Sequence, residues 1–507
     1  MTSGYTQDVV FNSGFGALQT PIHMFTAAVL CGFGAPPVHL PFRFLDLACG
    51  NGLTLALLAD AYPHAEFVGV DINPAHIRDA EGRAAEAGLD NVRFIEGDIR
   101  SLRARDFDRF DYCALGGLYS WLDEERRHAA RRFVADVVRP GGVFYVDYSA
   151  QPGIAQTAAL YRVLQKIGPA EGNSAERLSA ATALLDRMRR NGAQFFAQQP
   201  IAANRLKSIL QNPPEDEAHE VLNFQDHGLW STEVIEDFTE SGFDFAGNCG
   251  LHHNLPELTP NAKLLGGLGD RPPAMRELLF DVAWNVAQRK DLYVRRGDAE
   301  ARPFADQIAD LPIYTMTGAM DAGRRGAIAK KFPNSEIVSP LADAVETCLE
   351  EADTFGALFE ALGARGFAQS DVEAALKRLI ALNLVSVAIE QPASPVASGS
   401  FTMPSRLNQT LLKEDLSKQH ARPLASPVAG SRVLLPLKDR LYLTVCLGKR
   451  PGKAWRLLGD LRSLFRGDQG EELTEDAFAQ TVRATLPNFG RLAVPELVRL
   501  KILVPTE

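Results

Sequence analysis

From Phe44 to Gly52 the chain runs F-L-D-L-A-C-G-N-G. An apolar run ends at Asp46. A turn of small residues, Ala48, Gly50 and Gly52, then leads into an apolar-periodic segment from Leu53 to Ala61. That order predicts a buried strand, a tight turn and a helix. Glycines suit such a turn because the backbone must bend sharply and let a ligand come close, and a helix amino terminus adds unpaired N–H groups. The turn therefore predicts a nucleotide site.

Working outward, strand and helix alternate with little interruption from Arg43 to Ser149, which predicts a parallel sheet with helices on both faces. Strands are expected over Arg43–Ala48, Glu66–Ile72, Val92–Asp98, Asp111–Gly117 and Gly142–Ser149. Helices are expected near Leu53–Ala61, Pro74–Ala87 and Glu124–Val138, with Asn73 as a cap ahead of Pro74. After Pro152-Gly153 a long helical region, about Ile154–Leu210, reads as an insertion. Leu229–Cys249 reads as helix, Gly turn and strand, a return to the sheet edge. A further helix is expected over Ala274–Val294.

Composition gives the chain room for roughly three or four domains of about 100–200 residues. Of its 507 residues 46% are hydrophobic, and the net charge is −10. That balance argues against a protein that coats nucleic acid or an anionic membrane as a whole. The tail from Phe401 to Glu507 is basic, with 17 Lys and Arg against 11 Asp and Glu, and reads first as a solvated face. Six cysteines stand singly without a C-x-x-C pair, so reduced thiols and no metal site are expected, the His252-His253 pair included. The amino terminus lacks a signal-peptide pattern, and no apolar run reaches about 20 residues; a soluble, cytoplasmic protein without membrane insertion is expected.

Composition breaks divide the chain. The expected parts are a nucleotide-binding core over 1–153, a helical insertion over 154–222, a return to the core sheet over 223–256, a middle domain over 257–390 and a carboxyl-terminal domain over 391–507. The middle domain ends before the linker Q-P-A-S-P-V-A-S-G-S (Gln391–Ser400). Gly366–Val385 is echoed by Asp476–Leu486 and Leu497–Val504, each a helical unit closing in a short β-prone tail, as small winged-helix modules do. Two copies are too few for a solenoid.

The nucleotide is decided by the acids downstream. A dinucleotide fingerprint wants a third small residue three positions after the second glycine, and that position is Leu55. Asp71 ends the second expected strand, 19 residues past Gly52, where a carboxylate can accept from ribose hydroxyls. Asp98 ends the third and suits the exocyclic amine of an adenine, with Ile72 and Ile99 as apolar walls. With Asp46, the D-x-A-x-G-x-G, D-I-N and G-D-I series resembles the class I S-adenosylmethionine-dependent methyltransferases. Phe110–Leu122 (F-D-Y-C-A-L-G-G-L-Y-S-W-L), Arg139–Gly153 and Ser208–Asn223 further resemble bacterial methyltransferases with a methyltransferase regulatory domain, a family that includes protein-lysine methyltransferases.

That resemblance implies an α/β fold, a doubly wound Rossmann-like methyltransferase sheet with a helical insertion and α+β or winged-helix-like carboxyl-terminal domains. It implies S-adenosylmethionine as cofactor, held by Asp46, Ala48, Cys49, Gly50, Gly52, Asp71, Ile72, Asp98, Ile99, Leu115 and Gly116, with Tyr5 and Phe11 folding over it as a lid. The chain departs from the family pattern at Gly116, where a His is usual, at Ser149, where an Asn is usual, and after Gly153, where no Trp follows.

Methyl transfer asks a protein chiefly to align a nucleophile behind the methyl group. If the acceptor is a lysine, a dry aromatic pocket favours the neutral amine. Tyr119, Trp121 and Tyr148 are the candidates for that pocket, Tyr148 being preferred over Asp147 because strand alternation turns only one of them to the site. His219, Glu220 and Asn223 form a polar stripe at helical spacing that reaches the acceptor if the insertion folds over the strand tips. The expected activity is methyl transfer to a lysine amine of a protein substrate, with a homodimer left open. The alternatives are a small-molecule acceptor and a non-catalytic, cofactor-sensing DNA-binding regulator. The basic stretch Lys449–Arg456 motivates the regulator, although a nucleic-acid partner is not the first expectation.

Overall fold

The computed structural model describes residues 6, 8–9, 14–223, 228–258, 271–297, 302–397, 399–413, 421–447, 474, 480 and 489–506. Helix α1 (Pro21–Leu30) precedes β1 (Arg43–Leu47), and β1 lies third in a seven-stranded sheet. The parallel part is completed by β2 (Glu66–Asp71), β3 (Val92–Glu96), β4 (Phe110–Leu115) and β5 (Val138–Ser149), in the order β3-β2-β1-β4-β5. Between them run α2 (Leu53–Ala61), α3 (Pro74–Ala87) and α4 (Glu124–Val137). The Asn73 side chain caps α3 by accepting from the Ala75 N–H, and Gly88 ends it in the left-handed region.

Alternation sorts the sheet's side chains into two layers. Phe44, Phe67, Tyr112 and Tyr145 pack on the face covered by α1 and α2, whereas Leu45, Leu47, Val70 and Val146 pack on the face covered by α4. Both faces are buried, as a parallel sheet requires.

The expected helical insertion is a bundle: α5 (Ala155–Ile167), α6 (Ser174–Arg190), α7 (Gln194–Gln198), α8 (Pro200–Gln211) and α9 (Pro214–Leu222). Leu160, Leu164, Leu178, Leu206 and Val221 give it a core of its own. A capping box between Asn173 and Glu176 starts α6. The chain then returns through α10 (Ser231–Glu240), a turn at Gly242 and β6 (Phe243–Asn248), the expected helix, turn and strand at the sheet edge.

The helix expected over Ala274–Val294 is two elements. Helix α11 (Pro273–Trp284) stops at Asn285, which takes a left-handed φ of +51°, and β7 (Gln288–Arg295) then enters the sheet between β5 and β6, antiparallel to both. The strand was hidden because its inward positions are charged. Arg289 is 1% exposed and bonds Asp281 at 2.7 Å, Glu277 at 2.7 Å and Asp291 at 3.0 Å. Mutual neutralisation lets these charges stand where an apolar residue would have announced a strand.

Beyond β7, the helices Pro340–Cys348, Phe355–Ala364 and Gln369–Ala381 accompany a two-stranded pair, Ile313–Tyr314 with Ser386–Val387. Helix Arg406–Lys413 and the hairpin of Arg422–Ser426 with Ser431–Leu435 follow. Small sheets flanked by helices give this half its α+β, winged-helix-like character. It packs on the core: the Tyr62 hydroxyl, at the end of α2, donates to Gly430 O at 2.8 Å and accepts from the Ile22 N–H. No helix among the described residues is long and apolar enough to cross a membrane.

Candidate functional site

Because β1 and β2 run parallel with Asp46 opposite Gly69, their carboxyl ends and the turns after them open at one edge of the sheet. Ala48, Gly50 and Gly52 take left-handed φ values of +72°, +55° and +70°. Ala48 does so with a Cβ, a strained conformation that the surroundings must hold. They do: the N–H groups of Ala48 and Cys49 both donate to Val70 O, at 2.7 and 3.0 Å. A Cβ on Gly52 would lie 2.5 Å from Ala80 Cβ and 2.8 Å from the Phe94 ring, so only glycine fits. Cys49 is buried against Gly69, and burial pushes its thiol well up.

Asp71 ties the end of β2 to this turn. Its carboxylate accepts from the Gly50 N–H at 2.9 Å and the Asn73 N–H at 2.8 Å, and lies 3.2 Å from His76 Nδ1. A cavity of about 130 Å3 opens beside it, bordered by Ala48, Asp71, Ile72, Asp98, Ile99 and Trp121, with Leu118, Leu122, Arg126 and Asn223 completing the wall. Asp98 lies two residues past the end of β3. Its carboxylate bonds the Arg100 guanidinium at 2.6–3.2 Å, which holds it below the usual carboxylate range. Apolar walls with acids at the rim suit an adenosine, whose flat base is apolar on its faces and whose hydroxyls and amine are donors. The residues present thus fit the cofactor that the resemblance implies.

A second group of acids lies at the same edge. Asp46 is 2% exposed, accepts from Gln19 Nε2 at 3.2 Å, and is pushed up to about 7 by burial and by the neighbouring carboxylates of Asp71 and Asp147. Asp147 on β5 accepts from the Gly117 N–H at 2.5 Å and the Tyr145 hydroxyl at 3.1 Å, and burial raises it too. Helix α9 crosses this edge. His219 Nε2 lies 3.0 Å from Val9 O, and Asn223 Oδ1 accepts from the Thr6 N–H at 2.8 Å. Glu220 is raised by burial and by the charges of Glu217 and Asp147. His219 and Asn223 of the stripe therefore hold the amino-terminal segment, and Asn223 also borders the cavity. Tyr5 and Phe11 lie outside the described residues, as does Lys449–Arg456.

Two of the three aromatic candidates do not line the cavity. Tyr119 is fully buried, packs against Phe238 and Tyr148, and takes a hydrogen bond from Arg131 Nη1 at 3.2 Å. Tyr148 donates to Asp291 Oδ2 at 2.6 Å beneath β7. Strand alternation turns Tyr148 to the α10 face, where Asp291 on β7 partners its hydroxyl, and turns Asp147 to the opposite face, near Asp46. Leu115 is likewise core, at the end of β4.

Gly116, where the family pattern has a His, abuts Gln19: a Cβ there would run into the Gln19 side-chain oxygen. The amide of Gln19 thus fills the space and reaches Asp46. Nothing in the sequence before β1 marked Gln19, since its role depends on a contact across 27 residues.

Residues 44–142 match the family model described as "Methyltransferase domain", and residues 218–295 the one described as "Predicted methyltransferase regulatory domain". An uncharacterized protein of Synechocystis sp. is 24% identical over 514 residues, covering 98% of this chain and 99% of its own. A Rickettsia prowazekii protein, also uncharacterized, is 26% identical over 272 residues, 54% of this chain and 47% of its own. Among solved structures, PKMT2 from Rickettsia typhi in complex with AdoHcy shares the fold at a TM-score of 0.65 and 17% identity, over 94% of this chain and 98% of that one. Residues 44–142 are thus a class I S-adenosylmethionine-dependent methyltransferase domain, and residues 218–295 a methyltransferase regulatory domain.

Proposed function

We propose that the acceptor is a lysine amine of a protein substrate. The observation that carries this reading is a pair of carboxylates, Asp147 on β5 and Glu220 on α9, placed so that the charge of Asp147 raises both Glu220 and Asp46. A lysine arrives as an ammonium, with an ordinary pKa near 10.4, and must become neutral to attack. Half-buried carboxylates draw the cation in, and their raised basicity suits one of them to take its proton. When bound, S-adenosylmethionine supplies an electrophilic methyl group on a sulfonium. The chain's own part is to hold Asp147 through the Gly117 N–H and the Tyr145 hydroxyl, and to set Glu220 on a helix anchored through Asn223 and His219. Trp121 adds an apolar wall. The resemblance of the sequence to a family that includes protein-lysine methyltransferases supports the same acceptor, and the insertion and carboxyl-terminal units then select the substrate.

The test incubates the full chain and labelled cofactor with a bacterial lysate. Label in protein bands, released as methyl-lysine on hydrolysis, is the expected outcome. Label in small metabolites alone would overturn the reading in favour of a small-molecule acceptor. Asp147→Asn and Glu220→Gln should each lower turnover by about 10²-fold while leaving S-adenosylhomocysteine binding within a few-fold of wild type.

A further inference from the structure

A second cavity, of about 290 Å3, lies where the core meets the carboxyl-terminal half. Its walls come from α1 and the residues just before it, from the end of helix Gln369–Ala381 with the strand Ser386–Val387, and from the hairpin strand Ser431–Leu435. None of the described residues lining it is an Asp or a Glu. Arg432 borders it and makes no hydrogen bond or ion pair through its guanidinium among the described residues; its one recorded partner is the Phe15 ring, 5.4 Å away. Desolvation lowers Arg432 from the usual guanidinium range, with no acid to offset it. Around it stand the hydroxyls of Ser386 and Ser431 and, at the mouth, the amide of Asn383, none with a side-chain partner among the described residues. Ile22, Leu251 and Ile380 supply apolar surface.

A half-buried guanidinium with no counter-charge, facing a roomy cavity lined by hydroxyls and an amide, is a charge awaiting an anion. We propose that this interdomain cleft binds a small organic anion, carrying a phosphate or a carboxylate, through Arg432. The cleft is independent of the acceptor at the methyl-transfer site. It is connected to the cofactor seat, because Ala17 and Thr20 form part of its wall while the same segment donates the Gly16 N–H to Thr54 Oγ1 on α2 and Gln19 to Asp46. An anion drawing on Arg432, which stacks on Phe15, therefore acts on the segment that steadies Asp46. By reciprocity the cofactor and the anion alter each other's affinity.

Calorimetric titration of the full chain with inorganic phosphate and, separately, with butyrate, both at fixed ionic strength, tests the site and distinguishes the two head groups. Saturable 1:1 binding of at least one anion is expected, weakened at least tenfold in Arg432→Gln. The affinity for S-adenosylhomocysteine should shift at least twofold when the anion saturates. Integrity of the variant is read from its circular dichroism. Should Arg432→Gln not fold, Asn383→Asp, which puts a carboxylate at the cavity mouth, takes its place and should abolish binding. No saturable binding of either anion, or equal binding by wild type and the variant, would overturn the proposal. An unchanged cofactor affinity at anion saturation would overturn the link to Asp46.

Discussion

Asp46 is a carboxylic acid held among carboxylates, and its titration makes a sharp prediction. Its folded pKa, pushed up to about 7, lies above the roughly 3.9 of an unfolded chain. In the cofactor-free protein the stability this elevation represents is fully present below about pH 4 and lost as pH rises through 7. Cofactor binding runs the other way, because the ionised form attracts a sulfonium. Affinity for S-adenosylmethionine should rise about tenfold between pH 6 and 8, while that for the uncharged sulfur of S-adenosylhomocysteine changes far less. Asp46→Asn should flatten both the stability slope and the affinity difference. Equal pH profiles for the two ligands in the wild type would show that Asp46 does not sense the sulfonium. Gln19→Ala removes the side-chain donor that Asp46 has among the described residues and should weaken cofactor binding about tenfold.

The turn between β1 and α2 is the element on which the site depends. Gly52→Ala meets both a left-handed backbone and two neighbours with no room to withdraw, Ala80 and Phe94. It should cost roughly 2–4 kcal/mol in a urea melt and abolish cofactor binding. A melt within about 0.5 kcal/mol of wild type would show that the turn can re-form around a Cβ. This turn, α2 and α3 were legible in the sequence because their causes are local: an apolar run, glycines where φ is positive, Asn73 ahead of Pro74. That Asp71, Ile72, Asp98 and Ile99 come together around one cavity follows from the same local pattern, each standing at or just after the end of a strand. Tyr148 was not legible, since alternation says only that it and Asp147 face opposite ways. The partner of the Tyr148 hydroxyl is Asp291, 143 residues along, on a strand whose buried Arg289 disguised it. The direction of α9 was half legible: its polar stripe was visible, but the partners of that stripe, Thr6 and Val9, lie 217 and 210 residues away.

On the scale of the whole molecule, the question is what keeps the carboxyl-terminal half on the catalytic core. Tyr62 makes one joint: its fully buried hydroxyl bridges the Ile22 N–H and Gly430 O, linking α1, α2 and the distant hairpin through one oxygen. Its ring packs edge-on against Phe42 at 5.3 Å, a contact that phenylalanine would keep. Tyr62→Phe therefore removes both hydrogen bonds and leaves a buried donor and acceptor unsatisfied, at a cost of about 1–3 kcal/mol. Because Tyr62 does not border the cofactor cavity, affinity for S-adenosylhomocysteine should stay within about twofold of wild type. The loss should instead appear at the junction, as several-fold faster proteolytic cleavage within 391–397, where the chain has no regular structure, together with a lower urea midpoint. Unchanged cleavage and midpoint would mean that the apolar contacts between α2 and the hairpin hold the halves together without this bridge. A loss of cofactor affinity comparable to that of Asp46→Asn would mean instead that the joint is transmitted to the turn after β1.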